Sequence, residues 1–202
     1  MKNLFADVPP VIAGPAWMIL AGLGYTLTSV CTRELSSDYS TAQLAFMRAV
    51  IALGFVVPLI LRNGISVMKT GVFPLHLLRS FFTYGGMMCW FYAVSVIPIS
   101  DYTAMLYFQP IFTILFAMFI LREKAGPRTW AAVGVAFVGA LIILRPGLIT
   151  ISIPAMLVIT SSVFIACAVT MVKILARTES TSAIVTWMGL YLTPMSLIPA
   201  LF

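Results

Sequence analysis

Apolar positions along the chain gather into seven stretches that are separated by short polar connections. At 1.5 Å per helical residue, a stretch of about 20 apolar residues crosses about 30 Å of hydrocarbon as an α-helix. The stretch at 129–144 is short and would borrow flanking residues. The predicted spans cover residues 11–32, 42–61, 75–97, 102–121, 129–144, 151–176 and 183–202.

The connections contain glycine or proline, at 62–64, 97–100, 125–127 and 145–147, and such residues interrupt helices. A membrane β-barrel would instead need strands of about ten residues with alternating polarity, and the sequence contains none. The pattern therefore predicts an all-α, polytopic membrane protein with about seven transmembrane helices.

Composition narrows the class of protein further. The 202 residues are 61% hydrophobic and 9% charged, and their mean hydropathy is +1.07. A soluble domain carries about a quarter charged residues. This excludes a water-soluble enzyme, a nucleic-acid-binding protein and a disordered chain, and it makes the lipid bilayer the expected partner.

The formal net charge of +6 acts as a topology signal. If the N-terminus is cytoplasmic, nine of the twelve lysines and arginines fall on the cytoplasmic side, two fall outside and Arg48 lies within a span. This bias follows the positive-inside rule. We expect a multi-pass protein of a bacterial-type inner membrane, with a cytoplasmic N-terminus and without a cleaved signal peptide.

Two parts of the chain resemble each other weakly. Pro15-Ala16 matches Pro154-Ala155 at an offset of 139, and 40–42 matches 181–183 at an offset of 141. The first span of the first copy runs outward through the membrane, whereas the first span of the second copy runs inward. The copies are therefore inverted, as in many secondary transporters. We expect a five-helix repeat at 11–147 and two helices of a second, inverted repeat at 151–202. Three further helices, about 80 to 100 residues, would complete it, so we expect a fragment.

The stretch 97–147 carries a more specific pattern. The fourth span contains a proline, Pro110, and a glutamate, Glu123, follows the span. The next span begins with an arginine and a glycine, Arg128 and Gly134, and continues with a second glycine, Gly139. An Arg-Pro-Gly sequence at 145–147 closes the pattern. With Arg48, 77–79 and 90–93, it resembles the EamA-type drug/metabolite transporter superfamily, most closely the branch that includes riboflavin and S-adenosylmethionine carriers.

This resemblance implies ten spans in two inverted halves around a central solute cavity. It implies a secondary transporter that moves a small organic solute by alternating access. A truncated, non-transporting membrane subunit or pseudogene-like product that needs partner helices remains an alternative, as does, less favourably, a seven-span receptor. A retinal receptor would need a lysine in the last span, and 183–202 contains none. A homodimer is left open.

Six side chains are candidates for the solute cavity. Arg48 lies about 9 Å into the membrane, where it attracts an anion, anchors at the interface or pairs with Asp38 or Asp101. Arg79 and Trp90 share one face of the third span, which serves either an aromatic pocket or helix packing. The full set is Gln109, Trp90, Arg48, Tyr102, Tyr25 and Arg79.

Pro110 is expected to kink the fourth span, because it cannot donate to the carbonyl of Leu106. Gln109 beside it would then bond a freed group or face the solute. His76, at the entry to the third span, is expected at the membrane interface. The sequence has one histidine, three scattered cysteines and no catalytic motif, so we expect no enzyme, metal or cofactor.

Overall fold

The computed structural model describes residues 10–64, 68–144 and 153–201. These residues form helices and no strand, which confirms the predicted all-helical class. The closing motif at 145–147 and the beginning of the predicted sixth span lie outside the described residues. The helices are α1 (Pro10–Leu35), α2 (Thr41–Asn63), α3 (Phe73–Val96), α4 (Ile99–Leu106), α5 (Phe108–Leu121), α6 (Pro127–Leu144), α7 (Ile153–Leu175) and α8 (Thr181–Ala200).

Four segments of the described residues are long and apolar enough to cross a membrane. They are Thr41–Pro58, Ile99–Leu121, Ile153–Leu175 and Thr181–Ala200. Large apolar side chains, such as Leu23, Phe55 and Phe119, lie exposed on the outer faces of the bundle. Such faces suit a protein whose solvent is lipid. The membrane character of the chain is thus confirmed, and the count of seven spans stays a prediction.

The predicted fourth span is two helices rather than one. α4 ends at Leu106, Tyr107 forms a turn, and α5 begins at Phe108. The break lies three residues before Pro110, whose missing N–H leaves the carbonyl of Leu106 without its usual helical donor. The amide of Tyr107 instead bonds the carbonyl of Ala104 at 3.3 Å, a tighter turn than in an α-helix.

Helices α3 and α7 approach closely because two glycines face α7. A Cβ atom on Gly86 would lie 2.9 Å from Cγ1 of Ile165, and one on Gly85 would lie 2.8 Å from the ring of Phe164. Ser161 of α7 is fully buried and donates a hydrogen bond of 2.8 Å to the carbonyl of Gly86. Small residues of this kind let two membrane helices pack backbone to backbone.

The hairpin α1–α2 and the hairpin α7–α8 have the same turn, 140 residues apart. Leu35 and Leu175 each accept a backbone hydrogen bond four residues on, from Tyr39 at 3.0 Å and Glu179 at 2.8 Å. Ser40 then caps α2, and Ser180 caps α8, each through a side-chain oxygen that accepts a backbone N–H three residues later. The offset lies between the 139 and 141 found in the sequence.

Helices α2 and α8, the second helix of each hairpin, pack against each other in opposite directions. Gly189 lies against Val56 and Leu53, whereas Thr193, one turn later, reaches the carbonyl of Ala49 with its hydroxyl at 3.5 Å. Later residues of α8 therefore contact earlier residues of α2, as in an antiparallel helix pair. The two hairpin turns consequently lie at opposite ends of the bundle.

Candidate functional site

Four of the six candidate side chains come together from four different helices. Tyr25 of α1, Arg48 of α2, Trp90 of α3 and Tyr102 of α4 form a continuous group, called the Arg48 cluster below. Trp90 lies at its centre: its ring stacks on that of Tyr25, with centroids 5.0 Å apart and planes at 15°. Stacked or offset rings of this kind attract each other beyond their apolar contact.

The guanidinium of Arg48 lies over the same indole. Its central carbon is 5.2 Å from the ring centroid of Trp90 and 5.9 Å from that of Phe91. These distances fall within the range of cation–π attraction. The aromatic pair thus holds the cation in place without neutralising it.

Tyr102 connects the cluster to the beginning of α4. Its hydroxyl oxygen is 2.6 Å from that of Tyr25, and either group can be the donor. Tyr102 is 1% exposed and Trp90 is 2% exposed, whereas Tyr25 is 37% exposed. Arg48 is also exposed. Trp90 and Tyr102 therefore form a buried support, and Tyr25 and Arg48 form the accessible part of the cluster.

Arg48 opens onto a groove between α1 and α2. The groove has a volume of about 370 Å³ and an apolar lining, in which Thr28, Thr32 and Arg48 supply polar atoms. A groove of this size, with few polar groups among apolar ones, is typical of small-molecule sites. Its other lining residues are Leu27, Cys31, Leu35, Leu44, Met47, Ile51 and Phe91.

The charge of Arg48 has no counter-ion in the described part of the chain. The ion pair found there joins Lys173 to Glu123, with Nζ and Oε2 2.5 Å apart. Asp101, one of the partners considered for Arg48, accepts a hydrogen bond from the hydroxyl of Ser100 at 3.1 Å. An unpaired cation in a low-dielectric groove attracts anions and hydrogen-bond acceptors strongly.

Gln109 lies in a different groove. This groove, of about 610 Å³, lies beside the break between α4 and α5, where Gln109 and Pro110 line it together with Val169 of α7. Gln109 is half-buried, and its backbone carbonyl accepts a bond of 2.9 Å from the hydroxyl of Thr113. The structure therefore separates Gln109 from the Arg48 cluster.

Arg79 also lies apart from the cluster, in the contact between α3 and α8. It is 8% exposed. One terminal nitrogen donates to the carbonyl of Ile184 at 3.0 Å, and the other lies 3.3 Å from the sulfur of Met188. In this structure Arg79 packs two helices together, as in the second interpretation of the sequence.

Two residues play parts that the sequence interpretation missed. Arg33, interpreted only as a loop charge, donates a bond of 2.6 Å to the carbonyl of Ile97 at the end of α3, where a cation is favourable. His76, expected at the interface, is 1% exposed and lies against the ring of Trp187. The positions of these two residues in the sequence did not indicate these contacts, since both contacts depend on helices that are distant in the chain.

Within the described ranges, no three metal-ligating side chains come together.

Bundles of apolar helices that place a charged side chain beside a groove are common among polytopic membrane transporters. Residues 12–145 match the EamA-like transporter family, and the chain belongs to that family. This confirms the resemblance found in the sequence. The match places the chain among transporters rather than among enzymes.

Three relatives show the range of this similarity. The chain is 32% identical to a riboflavin transporter of Rhizobium johnstonii over 196 residues, 96% of this chain and 65% of the relative. It is 26% identical to an S-adenosylmethionine uptake transporter of Rickettsia prowazekii, over 66% of this chain and 45% of the relative. It is 27% identical to a pseudopaline exporter of Pseudomonas aeruginosa, over 86% of this chain and 61% of the exporter. The chain thus spans 65% of the length of the riboflavin transporter.

Proposed function

We propose that this protein is a secondary transporter of the drug/metabolite class that moves a small organic solute across a bacterial inner membrane by alternating access. The observation that carries the proposal is the unpaired guanidinium of Arg48, held over Trp90 at the edge of an apolar groove. Keeping a cation at this depth is costly. A solute that supplies the missing acceptor offsets that cost.

Within the site, Tyr25 and Arg48 contact the solute, and Trp90 and Tyr102 position them. This division follows from exposure, since the first two side chains are accessible and the last two are buried. An aromatic ring beside a guanidinium suits a planar solute with strong hydrogen-bond acceptors, such as the carbonyl groups of a heterocycle or a carboxylate. Riboflavin is the first solute to try, because relatives over most of this chain bear the name riboflavin transporter.

Two inverted repeats account for the arrangement of the hairpins. The shared turn at an offset of 140 and the antiparallel packing of α2 on α8 support an axis of approximate two-fold symmetry between these helices. We assign the first repeat to 11–147 and the start of the second to 151–202. Since the riboflavin transporter is longer, we further propose that three more helices complete the second repeat in the working carrier, and that its N-terminus is cytoplasmic.

The test is uptake by proteoliposomes that contain the reconstituted protein, expressed with whatever follows residue 202 in its gene. Radiolabelled riboflavin and S-adenosylmethionine serve as probes, and liposomes without protein serve as the control. We expect saturable uptake of at least one probe, inhibited by an excess of the same unlabelled compound. If the 202 residues alone fail and the longer product succeeds, the chain is a fragment of a carrier. If neither transports any solute of a broader metabolite panel, the proposal is wrong.

A further inference from the structure

A second polar group of residues lies at the other end of α3. Trp187 of α8 is its centre, with its ring centroid 5.3 Å from that of Phe73, 5.9 Å from that of His76 and 5.4 Å from that of Tyr191. Arg79 lies one turn after His76 on α3 and bonds α8 one turn before Trp187. Phe73, His76, Arg79, Trp187 and Tyr191 are called the His76 cluster below.

This cluster holds most of the unpaired buried polar atoms in the described part of the chain. Each of five such atoms is buried and has no hydrogen-bond partner. Burying a polar group without a partner is costly, and native proteins keep few such groups. Their concentration between two helices favours a site whose polar groups are satisfied in another arrangement. The atoms are Nδ1 and Nε2 of His76, Nε of Arg79, Nε1 of Trp187 and the hydroxyl of Tyr191.

Histidine is the side chain of this cluster that changes charge between about pH 5 and 8. The charged groups that act on His76 are Arg79, one turn later on α3, and Glu179, in the turn before α8. The titratable phenol on α8 is that of Tyr191, whose ring stacks on Trp187. Glu179 already accepts a bond of 2.7 Å from the hydroxyl of Thr70 and forms no ion pair with either cation among the described residues.

A proton on His76 therefore places a second cation beside Arg79 in a buried contact. Two like charges that are both removed from water repel each other strongly. Separation of α3 from α8 would admit water to both cations and to the unpaired indole and phenol groups. The protonated imidazole is consequently more stable when the two helices are apart.

We infer that His76 is a proton-binding site and that the binding of a proton there drives the separation of α3 from α8. Because linkage is reciprocal, helix separation also raises the affinity of His76 for the proton. His76 and Trp90 are about 21 Å apart along α3, given 1.5 Å per residue. The inference deepens the proposed function by adding proton coupling at the opposite half of the helix that carries the solute site.

The first measurement uses the fact that the sequence contains one histidine. Histidine labelled with ¹⁵N gives the imidazole signals of one residue in the protein held in lipid nanodiscs. We expect these signals to titrate between about pH 5 and 8, as for a histidine that gains access to water. Signals that stay in the neutral form across this range would overturn the inference.

The second measurement follows the opening of the contact. Cys31, Cys89 and Cys167 are replaced by alanine. The buried Ile184, whose carbonyl accepts the bond from Arg79 in the contact between α3 and α8, is replaced by cysteine. The rate at which a maleimide labels this cysteine is measured in the folded protein and in the same protein unfolded in detergent at the same pH. Dividing the first rate by the second cancels the pH dependence of the thiol's own reactivity. We expect this ratio to be about tenfold higher at the acid end of the titration, a typical coupling between linked sites.

Two variants make the result specific. Thr170→Cys, on α7, is 2% exposed and lies outside the cluster, so its ratio should stay low at both pH values. In the Ile184→Cys protein, His76→Gln removes the proton site and should abolish the pH dependence. If His76→Gln does not fold, the titration of His76 and the labelling ratio of Ile184→Cys still test the inference.

A histidine that titrates while the labelling ratio of Ile184→Cys stays constant would overturn the coupling. A pH dependence that survives His76→Gln would overturn the assignment to His76. Neither readout contains a solute, so absence of uptake of every solute tested would contradict the proposed function and leave the proton site standing.

Discussion

The hydroxyl oxygens of Tyr25 and Tyr102 lie 2.6 Å apart and join α1 to α4. The ring of Tyr25 also stacks on Trp90 of α3, so its accessible edge is fixed from two sides. A rotation of α1 would break both contacts at once. This pair is therefore the most direct structural link between the buried support of the Arg48 cluster and its accessible part.

Tyr102→Phe removes the link and leaves the ring. We expect a loss of about 0.5–1.5 kcal/mol in solute binding or in stability, because one hydrogen bond contributes about that much. Isothermal titration with riboflavin measures the loss in binding, and thermal unfolding in detergent measures the loss in stability. Tyr92→Phe is the control, since Tyr92 is 45% exposed on the same helix as Trp90. Equal effects of the two changes would contradict a positioning role for Tyr102.

Gly86→Ala tests the close packing of α3 on α7. The new Cβ would lie 2.9 Å from Ile165 and 3.4 Å from the carbonyl oxygen of Ser161, and overpacking of this kind costs about 1–3 kcal/mol. Thermal unfolding in detergent should show a clearly lower midpoint. Gly134→Ala is the matched control, since its Cβ meets no atom within 4 Å, and it should leave the midpoint nearly unchanged. A midpoint that Gly86→Ala also leaves unchanged would argue against this helix contact.

Glu123→Gln should have a small effect although it breaks an ion pair. Lys173 and Glu123 are 55% and 39% exposed, and exposed pairs contribute less than about 1 kcal/mol. The unfolding midpoint should shift less than for Gly86→Ala, and the difference should shrink further in high salt. A larger loss than that caused by Gly86→Ala would mean that the pair is shielded from water.

The inverted arrangement predicts that equivalent turns emerge on opposite sides of the membrane. Asp38 and Thr178 are 140 residues apart, and both are exposed in their turns. In a cysteine-free background, we expect a membrane-impermeant maleimide to label Asp38→Cys in intact spheroplasts. Thr178→Cys should react only after the membrane is permeabilised. Labelling of both from the same side would contradict the inverted repeats.

The sequence was sufficient for the helical class, because long apolar stretches in a chain of 9% charged residues leave few other folds. It also located the disturbance near Pro110, since the missing donor is a local property of proline. It did not place the break at Tyr107, because the resulting turn also depends on how the surrounding helices pack.

The site was harder to predict from the sequence. Spacing along one helix tells which residues share a face, but not which helix that face meets. Tyr25, Arg48, Trp90 and Tyr102 come together, whereas Arg79 shares the α3 face of Trp90 in sequence and yet packs on α8. His76 illustrates the same limit, since its burial depends on Trp187, more than 100 residues away in the chain.

Uptake by proteoliposomes that contain Arg48→Gln tests the central claim most directly. Arg128→Gln is the control, because Arg128 is exposed at the start of α6 and lies outside the groove. A hydrogen bond to a charged group contributes about 1.5–3 kcal/mol, so Arg48→Gln should raise the half-saturating solute concentration at least about tenfold. Arg128→Gln should leave it unchanged. Unchanged half-saturation in Arg48→Gln, or no uptake of any solute tested by the unaltered longer product, would contradict the account.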